Sequence, residues 1–265
     1  MRLLSIASGS SGNCIYVGND DTHILIDTGI SKKRKEVGLN EVELSLSDID
    51  GIFVTHEHSD HIQSLGVIQR KYNIPVYSSK ETIESILNEK KLGKIDEDLF
   101  VPIEADTTFE LGTLKINPFS VSHDAAKPYA YRVSDEKSSV AVATDMGYYD
   151  EYIVDNLMNL DALLVEANHD IRMLQFGRYP YFLKQRILSN RGHLCNEMCG
   201  RLIDEILCPS LKSIFLGHLS QENNYPDLAY QSVKNEIDMS ESTYKSRDFD
   251  IMVAHRDRPS KIVTV

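Results

Sequence analysis

The sequence predicts an α+β fold: two mixed β-sheets packed face to face, with helices on both outer faces, in a single domain over residues 1–265. Three observations predict it. Strand-rich segments followed by helices occur twice along the chain. No linker, low-complexity tract or directly repeating period separates the two halves. At 265 residues, 42% hydrophobic and 26% charged, the chain is long enough to bury a substantial core.

Taken in order, residues 2–7 alternate and read as a strand. A small-residue loop, Ser8-Gly9-Ser10-Ser11-Gly12-Asn13, leads to a second strand at 14–17. The turn Gly18-Asn19-Asp20-Asp21 precedes a third at 23–27, which Thr28-Gly29 ends. Residues 31–44 read as a helix whose basic first turn (Lys32, Lys33, Arg34, Lys35) is expected to be a solvated face. The run Gly51-Ile52-Phe53-Val54 is a strand, and a helix follows to about Tyr72. A short strand is expected at 75–78, and a charged, exposed helix at 80–91. Strands at 107–111 and 114–121, then at 129–133 and 139–143, form two hairpins. Leu163-Leu164-Val165 is a buried strand. The remainder is more helical (181–188, 196–207, 227–235), with short strands at 213–216, 251–253 and 262–263.

Composition excludes several classes. No apolar run approaches the ~20 residues that span a bilayer, so no membrane partner is expected. The apolar part of Met1–Ala7 is too short for a signal peptide, which makes the cytoplasm the expected compartment. Cys14, Cys195, Cys199 and Cys208 fit that compartment as free thiols. Cys195 and Cys199 would share one face of a helix as packing residues. A net charge of −12 argues against a surface that coats nucleic acid indiscriminately. The charge is uneven, however. Between Ile171 and Gly192 stand Arg172, Arg178, Lys184, Arg186 and Arg191 with no acid, which leaves −17 on the rest of the chain. Phe176, Tyr179, Tyr181 and Phe182 lie in the same window, as rings for base stacking or as core.

The stretch Thr55-His56-Glu57-His58-Ser59-Asp60-His61 carries the chemistry. His56 and His58, two apart in extended chain, point to one face. Asp60 and His61 open the next helix, where a carboxylate suits the N-terminal dipole. Three imidazoles and a carboxylate at the carboxyl end of a strand form a metal-ligand loop. His123, Asp145 and His218 also follow apolar runs (114–121, 140–143 and 214–217), so separate strands can bring them to the same edge.

The pattern His56-x-His58-x-Asp60-His61, then His123, Asp145 and His218, resembles the metallo-β-lactamase superfamily over essentially the whole chain. That resemblance implies an αββα sandwich, in agreement with the order of elements above. It implies two divalent metal ions (zinc or manganese, with iron a further option), one held by His56, His58 and His123. Asp60, His61 and His218 would hold the other, and Asp145 would bridge. Asp27 takes the place of the aspartate that orients the metal loops. The segments 7–14, 165–170, 189–194 and 216–220 resemble the YycJ/WalJ branch of that superfamily. The branch implies a cytoplasmic 5′→3′ DNA exonuclease, with nucleic acid as substrate and a role in DNA mismatch repair. Gly192-His193 also resembles the Gly-His motif of ribonuclease Z, which makes His193 a candidate at the scissile phosphate. Two positions depart from the branch. Cys195 stands where a serine is expected, which should alter a hydrogen bond near the site, and His255 is expected to be a surface difference.

The chemistry agrees with phosphodiester hydrolysis. Two metals ~3.5–4 Å apart lower the pKa of a bridging water and neutralise phosphate charge. On this reading Asp60 orients that hydroxide, and His193 donates to a phosphate oxygen or to the leaving group. Ser11 and Asn13, in a loop whose amides can face an anion, and Arg178, Arg186 and Arg191 are the expected substrate contacts. A small-molecule metallo-hydrolase (lactonase, thioesterase or cyclic-phosphate diesterase) is the alternative. Oligomeric state is not legible.

Overall fold

A computed structural model describes residues 1–265. Its first sheet holds β1 (Arg2–Ala7), β2 (Cys14–Gly18), β3 (His23–Ile26), β4 (Gly51–Phe53), β5 (Val76–Ser78), β6 (Phe100–Pro102) and the C-terminal β14 (Val263–Thr264). The second holds β7 (Phe109–Leu111), β8 (Leu114–Ser120), β9 (Tyr129–Ser134), β10 (Ser139–Ala143), β11 (Ala162–Glu166), β12 (Ser213–Gly217) and β13 (Asp250–Val253). Strand order is β14-β1-β2-β3-β4-β5-β6 in one and β13-β12-β11-β10-β9-β8-β7 in the other. Both follow one plan. An antiparallel meander, β1-β2-β3 or β7-β8-β9-β10, gives way to parallel pairing from β3 through β6 or from β10 through β13. The strand-then-helix order read twice from the sequence is this plan. It leaves no direct period because the two halves space their elements differently.

Alternation of side chains builds the layers. Ile24 and Ile26 turn into the core between the sheets, where Phe53, Tyr131, Val140, Val142 and Leu164 meet them. Leu25 turns outward under Leu39 of α1 (Lys32–Asn40), Leu65 and Ile68 of α3 (Leu65–Tyr72) and Ile86 of α4 (Lys80–Leu87). Across the molecule Leu163 and Val165 pack under α5 (Glu151–Leu157), α8 (Asn196–Ile206) and α9 (Pro226–Met239). The expected αββα order of layers is present. Strands such as β4, β10 and β11 are buried on both faces, which is why they read as unbroken apolar runs. No helix is long and apolar enough to cross a membrane.

Several elements differ from expectation. The helix after the metal motif is two helices, α2 (Ser59–Ile62) and α3, because Ser64 between them turns its hydroxyl to the Thr28 and Ile30 carbonyls. The edge strand β6 and the short helices α5 and α6 (Ile171–Phe176) were not foreseen. The first helix ends at Asn40, before the expected Leu44, and α4 ends at Leu87 with a separate 3₁₀ turn at Lys90–Leu92.

Lys35 is the sharpest correction. Expected on a solvated face, it is fully buried, and its ammonium donates to Thr28 O, Ser64 Oγ and Ile30 O. Burial pushes it down to about 8. It therefore cross-links the end of the β3 loop to the start of α3. Lys35→Met is expected to cost about 3 kcal/mol in a urea unfolding titration, because two buried carbonyls lose a charged donor. An unchanged unfolding midpoint would show that Lys35 is not a structural tie.

Candidate metal centre

The metal motif lies where the two sheets meet. Tyr131 donates its hydroxyl to Val54 O at 2.6 Å, and Tyr129 N–H donates to Thr55 O at 2.9 Å, so β9 of one sheet holds the motif of the other. Gly29 lets two backbones touch: a Cβ there would stand 1.5 Å from Asp60 O. Asn13 N–H donates to the same carbonyl and Thr28 N–H to His61 O, which fixes α2 against the strand ends.

Seven side chains converge there. His56 Nε2 is 3.0 Å from His58 Nδ1, and His123 Nε2 is 3.3 Å from the same atom. Nitrogens ~2.1 Å from a tetrahedral zinc stand about 3.4 Å apart, so this trio has the spacing of one coordination face. Beside it, Asp60 Oδ2 is 3.5 Å from both His61 Nε2 and His218 Nε2. Asp145 lies between the groups, with Oδ2 at 3.3 Å from His61 Nε2 and Oδ1 at 3.7 Å from His123 Nε2 and 3.6 Å from His218 Nε2. Asp145 Oδ2 and His218 Nε2 are buried with no hydrogen-bond partner in the protein, an expensive arrangement unless a cation binds there. The residues present fit divalent metal.

The opposite nitrogens of His56, His61, His123 and His218 are held from behind, that of His56 by Thr55 Oγ1 at 3.0 Å. Asp27, fully buried, accepts from Thr55 N at 2.9 Å, from Thr55 Oγ1 and from His61 Nδ1 at 2.7 Å. His123 Nδ1 donates to Gly192 O. Glu166, not foreseen as a site residue, does for the second sheet what Asp27 does for the first. Its Oε1 accepts from His193 Nδ1 at 2.7 Å and His218 Nδ1 at 2.9 Å, and its Oε2 from Met146 N and Leu194 N. The signal was present, since Glu166 follows an apolar run in the same format as Asp145 and His218. Asp124 was missed as well; its Oδ1 is 3.3 Å from His123 Nε2, and it pairs with Arg186.

The field at the centre favours cations. Burial alone would push the His61 imidazole down, but Asp27, Asp60 and Asp145 outweigh it and raise His61 well above its ordinary value. His218 is likewise raised to about 10 against its burial, by Asp145, Asp60 and Glu166. His193 is raised by Glu166 despite burial. His56, buried among other imidazoles, is pushed well down and stays neutral, the form that ligates.

Asp27, Asp145 and His218 adopt left-handed backbone, with φ of 63°, 58° and 54°. Each stands just past a strand, β3, β10 or β12, and the turn aims its side chain into the centre. Asp and His tolerate this conformation better than most residues, at a cost of order 1 kcal/mol.

With this geometry, the chain's relatives can be named. The family model described as "Beta-lactamase superfamily domain" matches residues 22–206. The chain is 40% identical over 233 residues to exodeoxyribonuclease YycJ of Bacillus anthracis, covering 88% of each. It belongs to the β-lactamase superfamily, in the YycJ/WalJ branch. Exodeoxyribonuclease WalJ of Streptococcus pneumoniae is also 40% identical, over 88% of this chain and 86% of that one. Among solved structures, the metallo-β-lactamase fold protein YhfI of Bacillus subtilis superposes with a TM-score of 0.71 over 98% of this chain and 99% of its own. At 18% identity that likeness bears on fold alone.

The other expected site residues are placed as follows. His193 sits at the rim, its side chain 17% exposed. Arg178 is exposed and makes no salt bridge, whereas Arg186 is paired with Asp124 and Arg191 donates to His123 O. Ser11 is exposed. Asn13 is a correction: it is fully buried, its Oδ1 accepts from Gly9 N, and its Nδ2 lies 3.1 Å from His61 Nε2. The Gly12 and Asn13 amides donate to Gly9 O and Asp60 O, which leaves only the Ser10 and Ser11 amides, at the exposed tip of the loop, without a partner in the protein. Cys195 caps α8 through its sulfur, which accepts from Met198 N; a serine there would affect that cap and not the metal residues. His255 is half-buried and its carbonyl accepts from Ser8 N, so it is not a free surface residue.

If Glu166 sets the orientation of His218, Glu166→Gln should weaken divalent-metal binding about 10–100-fold in a chelator-competition titration. Affinity equal to that of the unsubstituted protein would rule out that role.

Proposed function

We propose that this chain is a metal-dependent phosphodiesterase that cleaves DNA from an end, with two divalent ions, zinc or manganese, and that it works in the cytoplasm in DNA repair. Residues 1–265 act in this reading as one domain. The observation that carries it is the pair of three-residue clusters joined by Asp145, in a chain 40% identical to exodeoxyribonucleases over nearly its whole length.

His56, His58 and His123 would hold one ion, Asp60, His61 and His218 the other, with Asp145 between them. Divalent ions so placed supply Lewis acidity, which activates a water and offsets the phosphodiester's negative charge. The side chains supply the rest. Asp60 Oδ2 faces His61 and His218, which leaves Oδ1 to accept a hydrogen bond from the attacking water. His193 has its Nδ1–H committed to Glu166, so Nε2 is the atom available at the rim. The adjoining Glu166 carboxylate favours the protonated imidazole against the effect of burial, and Nε2–H can then donate to a phosphate oxygen or protonate the leaving oxygen. Gly192 precedes it because a Cβ there would lie 2.0 Å from Ile187 O. Arg172 and Arg178, exposed and without a salt bridge, are the cations this reading assigns to phosphates; Arg186 and Arg191 brace the His123 loop.

With Mn²⁺ or Zn²⁺, the purified protein is expected to degrade 5′-phosphorylated DNA and to leave lactones and thioesters intact. The Asp60→Ala, His61→Ala double variant is expected to fall to background. DNA products that persist in that variant, or lactone or thioester turnover in place of DNA cleavage, would overturn the reading. Separately, Arg172→Ala, Arg178→Ala is expected to reduce the slope of log affinity against log salt by about 1–2 for DNA, since each lost phosphate contact removes roughly one released counterion. A slope identical to that of the unsubstituted protein would remove these arginines from the substrate path.

A further inference from the structure

The loop that follows β13 reaches the metal edge and brings two arginines to it. β13 runs parallel to β12, so residues 254–258 leave the sheet at the same end as His218. His255 O accepts from Ser8 N at 3.0 Å, which ties this loop to the one at 8–13. Arg256 then lies over Gly9: a Cβ on Gly9 would stand 3.5 Å from the Arg256 Nε. Its Nη2 donates at 2.7 Å to the carbonyl of Leu219, the residue after His218. Arg34 of α1 donates in turn to Arg256 O, so this part of the basic turn belongs to the same corner.

No carboxylate of the chain answers these cations. Neither Arg34 nor Arg256 makes a salt bridge, although the chain holds 40 acids and a net charge of −12. Arg256 is half-buried. Burial works against its charge, and Asp257, exposed and unpaired with it, offsets only part of that effect together with Tyr179. Arg256 Nη1 is buried with no hydrogen-bond partner in the protein, an expensive state for a guanidinium nitrogen. The loop beside it is in a similar condition. The Ser10 and Ser11 amides at its exposed tip donate to nothing.

These donors adjoin the second metal cluster. Ser8 Oγ accepts from His218 N at 2.8 Å, and Asn13 Nδ2 is 3.1 Å from His61 Nε2, so both ends of the 8–13 loop touch that cluster. A planar guanidinium fork with backbone amides beside it matches the oxygens of a phosphate. We propose that Arg256 and the Ser10 and Ser11 amides form a phosphate subsite, which holds a phosphate of the bound strand while the scissile one lies at the metals. Arg34 adds to the positive field there. The subsite sets the register in which the strand enters. Its occupant is the terminal phosphate of the strand or the internal phosphate next to the scissile one; the chemistry is shared, and the test separates the two. The proposal rests on the nuclease reading for the identity of the strand.

The test uses the full chain loaded with Mn²⁺ and a fluorescent phosphorothioate duplex that carries either a 5′-phosphate or a 5′-hydroxyl. Arg256→Gln keeps an amide donor for Leu219 O and loses the charged fork. It should weaken binding of the 5′-phosphorylated duplex about tenfold or more, as loss of a charge-assisted pair does. Loss confined to that duplex assigns the terminal phosphate. Equal loss for both duplexes, with the slope of log affinity against log salt reduced by about 1, assigns the internal phosphate. Ser10→Pro removes one tip amide at a position that accepts proline, because the Gly9–Gly12 turn holds Ser10 and Ser11 at negative φ. It should reproduce the same pattern at smaller size. Arg256→Lys keeps the charge without the fork and should recover part of the affinity. Unchanged affinity for both duplexes in Arg256→Gln overturns the subsite, as does equal loss with an unchanged salt slope. So does a fall in bound manganese in that variant, which makes Arg256 a prop for the His218 loop. Arg256-dependent binding in a protein that cleaves no strand leaves the subsite standing and removes the nuclease reading; DNA binding and cleavage indifferent to Arg256 and Ser10 remove the subsite alone.

Discussion

Two buried carboxylates, Asp27 and Glu166, set the geometry on which the metal centre depends. Imidazoles brought this close repel one another when charged and rotate when free, so something behind them must fix both ring angle and proton position. Asp27 does so for His61, and Glu166 for His218 and His193. A buried carboxylate costs several kcal/mol unless its oxygens are satisfied, and these are. Asp27 also takes the Thr55 amide and hydroxyl, and Glu166 takes the amides of Met146 and Leu194. The same bonds that orient the imidazoles pin the loops after β4 and β10 and the turn that leads into α8. Site and loop architecture are thus one network.

Each sheet also places a carboxylate at the end of the strand where its pairing changes direction. Asp27 follows β3 and Asp145 follows β10, the two strands at which antiparallel pairing gives way to parallel. A left-handed residue at each of those ends turns the chain sharply and aims a carboxylate inward. Equivalent positions in the two halves carry different work: Asp27 holds His61 Nδ1, and Asp145 faces both clusters. With the sheets packed face to face, both ends open on one edge, which is where ligands gather in open sheets.

The layers and the convergence of the ligand types were legible because they rest on strong local signals. Apolar runs buried on both faces cannot be loops, and His56-x-His58-x-Asp60-His61 has few structural uses. Lys35 and Asn13 were not legible, because nothing local distinguishes them from surface residues. Lys35 shares its turn with three other cations, and only the Thr28, Ile30 and Ser64 acceptors, distant in sequence or hidden in the turn, make it a core residue. Asn13 sits in a loop of small residues that reads as open, and is closed by the approach of Gly29 to Asp60. Glu166 was readable by format yet passed over, since one more acid among 40 acidic residues carries weight only when its partners are known.

The centre and the pair α6 and α7 (Tyr181–Ile187) are held in place by different forces. Candidate ligands must hold their positions to a few tenths of an ångström, and five of the seven (His56, His61, His123, Asp145 and His218) are buried. Helices α6 and α7 bury almost nothing by comparison. Anchoring that segment by apolar packing would consume the rings it presents. The polar ties of Lys184, Arg186 and Asn190 hold it to the His123 loop while leaving Phe176, Tyr181 and Phe182 in solvent. Helix α7 buries no side chain, so charge and hydrogen bonds, and not apolar packing, fix its position.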